Sequence, residues 1–210
     1  MMRLPEKINK YVENLEYRYD NIGCSEDKTV LFENKYVLKI SSNIEFLKRE
    51  YDLFDFISSK IHGSKPLEFI IEEDKAYLLR TYIAGDILIA DRILSNPNLV
   101  IEILVKAINI LKSLDDYNCP YNALESDGVD FIHGDLCLPN ILVNSQNEVV
   151  GFIDVSAGGK GDRWFDYAWM LWSFEYNLKT KKYNDSLLKA LGIEFDEEKY
   201  NLYIPVEYRS

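Results

Sequence analysis

A short apolar hairpin that ends in a carboxylate constrains this chain more than any other feature. Ile141–Val143 and Val149–Ile153 flank the turn Ser145–Asn147, and the second run stops at Asp154. A charge at the end of a buried strand is costly unless something charged pairs with it. Just upstream lies Phe131-Ile132-His133-Gly134-Asp135-Leu136-Cys137-Leu138-Pro139-Asn140. A lone His-Gly-Asp would mean little, because three-letter strings are common. The ordered set His-Gly-Asp, Asn140, hairpin, Ile-Asp is far more specific.

Asn140 and Asp154 on neighbouring loops are hard oxygen donors, which suits Mg2+ bridging the phosphates of a nucleotide. Asp135 then has a separate task, accepting the proton of an attacking hydroxyl. The plainer alternative makes Asp135 and Asn140 turn residues and Asp154 a helix cap; it must explain several coincidences at once. One of them lies far upstream. Period-two alternation puts Lys39 on the same strand face as Val37, while Glu50 sits among Phe46, Leu47, Leu53 and Phe54 on a helical stripe. A carboxylate there wants a partner. A Lys39–Glu50 pair supplies one and aims the ammonium at the α- and β-phosphates; two independent surface charges are the alternative.

The rest of the chain reads as strands first and helices afterwards. Strands are expected at Tyr17–Tyr19, Thr29–Phe32, Tyr36–Ile40, Leu67–Ile71 and Ala76–Arg80. Asn43 caps a helix over Ile44–Ser58, and Asn96-Pro97 starts another carrying Val100, Ile103, Leu104, Ala107, Ile108, Leu111 and Leu114 at helical spacing. Helices are also expected near Phe165–Leu178 and Asn184–Ala190. The pattern is α+β with two lobes. An apolar share of 47% in 210 residues is globular and supports a sizeable core.

Charge and cysteine usage narrow the partners. With 24 Lys+Arg against 35 Asp+Glu the net charge is −11, which argues against nucleic-acid binding and leaves room for cationic ligands. No apolar stretch approaches the ~20 residues that span a bilayer, and no leader-like run follows Met1. The polar start Met1–Lys10 reads as a natural cytoplasmic N-terminus. Cys24, Cys119 and Cys137 are scattered, and with His62 and His133 they offer no zinc spacing, so a reducing cytoplasm is the economical setting. Phe165, Trp169, Trp172 and Tyr176 form a helical stripe that reads as core.

These residues resemble the kinase-like phosphotransferase family, specifically its aminoglycoside 3′-phosphotransferase branch, over nearly the whole chain. His133–Asn140 is similar to the family's catalytic motif, and Gly151-Phe152-Ile153-Asp154 to its metal motif. Leu114–Tyr121, Leu191–Asp196 and Lys199–Ile204 are similar to strings particular to the branch. The resemblance implies a two-lobed protein-kinase-like fold, with a small antiparallel β-sheet N-lobe (1–82) for the nucleotide and a mainly helical C-lobe (83–210) for catalysis and the acceptor. It implies Asp135 as catalytic aspartate, Asn140 and Asp154 as metal ligands, and Lys39 with Glu50 as the phosphate anchor. Ser25 would lie near the β/γ-phosphates, the backbone of Thr81 and Ile83 would meet the base, and His133 and Asp166 would support the loop. The implied activity is ATP- (or GTP-) and Mg2+-dependent transfer to a hydroxyl of a small cationic molecule, an aminoglycoside first, another amino sugar or amino alcohol second. A nucleotide-binding pseudokinase serving as an interaction module is the alternative from another class; a protein kinase is disfavoured by Gly134.

The acceptor half departs from the family pattern. Only eleven residues, Asn122 to Ile132, separate Tyr121 from His133, where relatives carry a long helical insertion. Tyr176-Asn177 stands where those relatives place an acidic pair. Glu175 and Glu207 remain as expected acceptor contacts, in an open cleft walled in part by Asn122–Asp130. The oligomeric state stays open.

Overall fold

The computed structural model describes residues 3–20, 27–115 and 117–208. Contacts divide it into two units, Met1–Ala84 and Gly85–Ser210. In the first, α1 (Glu6–Val12) precedes β1 (Tyr17–Asp20), β2 (Lys28–Phe32), β3 (Tyr36–Ser41), α2 (Ile44–Ser58), β4 (Pro66–Glu72) and β5 (Lys75–Thr81). The strands form one antiparallel sheet in the order β1-β2-β3-β5-β4. Glu33 and Asn34, both with left-handed backbone (φ 44° and 53°), turn β2 into β3 with the twist that a tight hairpin favours. The α2 helix starts where it does because the Asn43 side chain accepts the Phe46 N–H at 3.1 Å.

Alternation along β3 sorts its residues between the two faces of this sheet. Leu38 joins Val30, Phe32 and Leu79 in a cluster closed by Ile8 and Val12, one turn apart on α1. This helix lies partly within the stretch read above only as a polar terminus. Lys39 faces the other way, toward α2, which packs on β4 and β5.

The second unit contains β6 (Asp86–Ile87), α3 (Asp91–Leu94), α4 (Pro97–Lys112), β7 (Asp130–Ile132), β8 (Ile141–Val143), β9 (Val149–Phe152), β10 (Gly159–Gly161), α5 (Arg163–Leu178), α6 (Asn184–Leu191) and α7 (Glu197–Tyr203). Asn96 caps α4 through the Leu99 N–H, with Pro97 at the first helical position. Its stripe Val100, Ile103, Leu104, Ala107, Ile108 and Leu111 is buried, each large side chain contributing roughly 1.5–3 kcal/mol. Small sheets β6-β8-β9 and β10-β7 carry the loops of interest. Buried Arg163, at the start of α5, donates to Phe131 O at 2.7 Å and pairs with Asp115, whose carboxylate also accepts the Phe131 N–H. The end of α4, β7 and α5 are thereby tied together. The architecture is α+β, and among the described residues no helix is long and apolar enough to cross a membrane.

Candidate active site

Gly134 makes the Asp135 turn possible. Its φ is +81°, and a Cβ there would lie 2.5 Å from Ala157 C, so no side chain fits. Gly158 answers from the facing loop, where a Cβ would lie 2.7 Å from His133 O. Fully buried Asp166, on the first turn of α5, accepts the N–H groups of His133 (2.7 Å) and Gly134 (3.0 Å). Burial pushes its carboxyl above the ordinary range, opposed by His133, the two amides and Arg163. His133 accepts the Asp135 N–H on Nδ1 (3.2 Å), so the neutral tautomer carries its proton on Nε2 and donates to Ile153 O (3.0 Å). Ile153 N–H in turn donates to Asn140 O at 3.0 Å. Two loops distant in sequence are knitted together one residue before Asp154.

Asn140 is 7% exposed, and its side-chain nitrogen donates to both the carbonyl and the Oδ2 of Asp135, at 2.9 Å each. With its N–H groups so used, the amide oxygen of Asn140 is left as an acceptor. Asp154 is exposed, with left-handed backbone (φ 55°) that turns the chain out of β9. Two hard oxygens on loops held by one backbone bond are of the donor type that would suit Mg2+. Among the described residues no group of three His, Cys, Asp or Glu could hold a metal by itself. Cys137, in the same loop, is no nucleophile: burial, and then the charge of Asp135, push its thiol far up.

In the first unit, Lys39 Nζ lies 2.8 Å from Glu50 Oε2 and 4.0 Å from Asp27. The Glu50 side chain is 1% exposed and that of Lys39 12%. Thr81 departs from a freely available base contact, because its N–H donates to Lys65 O (2.9 Å) and its carbonyl accepts from Ser64 Oγ (2.5 Å). Among the described residues nothing accepts the Ile83 N–H. Ser25 lies outside the described residues.

Glu175 and Glu207 line one cavity of about 780 Å3, with Trp172, Tyr176, Asn177 and Tyr208. Glu175 accepts from Asn184 Nδ2, and its other oxygen lies 4.0 Å from Lys181. Trp172 and Asn177 of the lining flank Ser173, whose Oγ accepts the Leu138 N–H of the Asp135 loop (3.0 Å) and whose carbonyl accepts from Asn177 (2.7 Å). Two expectations are corrected here. The aromatic stripe is core only at its start: Phe165 is buried, Trp169 and Trp172 are half-buried, and Tyr176 is 67% exposed. The Asn122–Asp130 loop does not line this cavity; it runs along β10, with Ala123 N–H on Lys160 O and Ser126 Oγ accepting the Asp162 N–H. Sequence reasoning missed Trp172 and Tyr208 as cavity residues, since periodicity alone cannot tell a buried stripe from a cavity wall.

Residues 119–203 match the model of the phosphotransferase enzyme family. A probable aminoglycoside 3′-phosphotransferase of Lactococcus lactis is 24% identical across 90% of this chain and 88% of that protein. The aminoglycoside 3′-phosphotransferase of Enterococcus faecalis is also 24% identical, across 97% of each chain. That alignment spans 257 positions against 210 residues here, so at least 47 positions are filled only in the relative. Among solved structures, an aminoglycoside phosphotransferase of Streptomyces rimosus in complex with ADP and streptomycin superposes with a TM-score of 0.77, 17% identity and 93% of each chain covered. The likeness establishes a kinase-like fold.

Proposed function

We propose that the chain, whose residues 119–203 match the phosphotransferase enzyme family and which aligns over most of its length with aminoglycoside 3′-phosphotransferases, transfers the γ-phosphoryl group of ATP to a hydroxyl of a small amine-bearing molecule, an aminoglycoside first. The observation that carries this reading is the double donation from Asn140 to Asp135. It orients one carboxylate as a base while leaving the Asn140 amide oxygen as an acceptor for a cation. Asp135 takes the proton of the acceptor hydroxyl as the new P–O bond forms, and ADP carries away the displaced bridging oxygen. Asn140 and Asp154 would hold Mg2+, which when bound neutralises charge on the phosphates. Lys39, braced by Glu50, offers an ammonium to the α/β-phosphates, and the Ile83 N–H offers a donor to the base. Thr81 O has only its second lone pair for that base. His133 and Asp166 hold the loop and take no part in proton transfer. GTP is the alternative donor, and a cytoplasmic setting is part of the reading.

Activity of this kind is tested by ADP release with kanamycin, streptomycin or no acceptor. ADP release that rises saturably with an acceptor and stops on Mg2+ removal supports the proposal. Release that is independent of every acceptor refutes the transfer.

A further inference from the structure

We infer that the acceptor is recognised by the aromatic corner Trp172, Tyr176 and Tyr208, and that this corner, rather than the acceptor's number of positive charges, decides which amino sugar is used. The inference rests on the phosphotransferase reading and names how its acceptor is selected.

Charge is a weak attractant in this cavity. Among the described residues its lining carries two carboxylates, Glu175 and Glu207, and two ammonium groups, Lys179 and Lys181. Glu175 is already bonded to Asn184, lies near Lys181, and is only 14% exposed. Among the described residues a polycation therefore meets a wall with no net formal charge, although the whole chain carries −11.

The rings are organised where the charges are not. Trp172 and Tyr176, one turn apart on α5, stack at 5.2 Å and 19°. Tyr208 stands at 63° to Trp172, 5.4 Å away, and its carbonyl accepts the indole N–H at 2.9 Å. Trp169 braces Trp172 edge-on at 5.6 Å. Stacked rings meeting others at a steep angle make a corner, yet Tyr176 is 67% and Tyr208 48% exposed. A contiguous exposed aromatic surface of this kind marks a place for a ligand.

An amino sugar presents a face of C–H bonds polarised by a neighbouring ammonium, and both are drawn to the negative face of an aromatic ring. The cavity volume of about 780 Å3 lies within the usual range for small-molecule sites. Asn177 of the cavity lining donates to Ser173 O one turn back on α5, and Ser173 Oγ accepts the Leu138 N–H, so this helix links the cavity wall to the loop that bears Asp135.

Tyr176→Ala and Tyr176→Phe, checked for native circular dichroism, provide the test in two arms. In the first, intrinsic tryptophan fluorescence is titrated with kanamycin and with streptomycin without nucleotide. In the second, KM and kcat for the same compounds are measured at about 0.1 and about 1 M salt, across which the Debye length falls from about 10 to about 3 Å. The expected result is saturable quenching, roughly 5- to 30-fold weaker in Tyr176→Ala and nearly unchanged in Tyr176→Phe. KM should rise by the same factor in Tyr176→Ala with kcat preserved, and change less than about threefold with salt. Absent quenching, Tyr176→Ala affinity within about twofold of the parent, or a KM that rises more than about tenfold with salt overturns the inference. Tyr176-dependent quenching without any phosphoryl transfer would overturn the phosphotransferase reading, and with it the acceptor role, while retaining the corner as an amino-sugar site.

Discussion

Asn140 spends its side-chain nitrogen on Asp135 twice, at the backbone carbonyl and at Oδ2, both at 2.9 Å. The residue proposed as metal ligand thereby also fixes the residue proposed as base. Asp135→Ala should cut kcat by roughly 10²–10⁴ while Mg-nucleotide affinity stays within about threefold. Steady-state kinetics beside calorimetric titration of Mg-nucleotide checks both halves.

Asp154→Asn should separate from that variant. Its carboxylate stands at the exit of β9, one residue past the backbone bond from Ile153 to Asn140 O. Mg-nucleotide binding should weaken by about tenfold or more, since one charged oxygen donor is lost. Equal affinities in Asp154→Asn and Asp135→Ala would show that the two roles are confused.

Lys39→Met should destabilise the protein by about 3–5 kcal/mol in urea unfolding. The reason is that it takes the ammonium 2.8 Å from Glu50, a carboxylate whose side chain is 1% exposed. Adding Glu50→Leu to Lys39→Met should recover most of that loss, because the buried charge is then gone. Loss of under about 1 kcal/mol in Lys39→Met would place the pair with ordinary surface charges.

Asp162 caps α5 and also accepts from Lys199 (2.7 Å) and Tyr203 (3.1 Å), tying α7 to the start of α5. Burial alone would raise its carboxyl, but the Lys199 and Trp164 donors hold it below the ordinary range. The Asp162 hydrogen bond raises Lys199. A lowered acid stabilises the fold above the usual carboxylate range and loses that contribution as pH falls through its folded value; a raised lysine contributes below its usual range and loses it as pH rises past the folded value. The pair therefore adds stability across neutral pH and loses it at both extremes. Lys199→Met should flatten the acid limb of a melting-temperature profile and cost under about 1 kcal/mol at neutral pH, since Lys199 is partly exposed. An acid limb as steep as the parent's would contradict this.

Caps and periodicity made much of the fold legible. Asn43 and Asn96-Pro97 mark α2 and α4 to the residue, because an N-cap is a local event written in adjacent side chains. The three-residue pairing of β7 with β10 was not legible: Asp130–Ile132 meets Gly159–Gly161 beyond the whole β8–β9 hairpin, and its glycines give no strand signal. Nor was α1, whose burial rests on two apolar residues, Ile8 and Val12, finding a distant sheet. The residues of the Asp135 loop stand out in sequence because the chemistry demands particular types, whereas the cavity wall does not. Whether Trp172 and Tyr176 face a core or a void depends on what packs opposite, and helical spacing holds no record of that.

Mass spectrometry of kanamycin and streptomycin after incubation with the protein, ATP and Mg2+ tests the central claim most directly. The account predicts a product heavier than its acceptor by one phosphoryl group, formed in step with ADP and lost in folded Asp135→Ala. Unchanged acceptors alongside steady ATP turnover, or a phosphorylated product formed at the parent rate by Asp135→Ala, would contradict it.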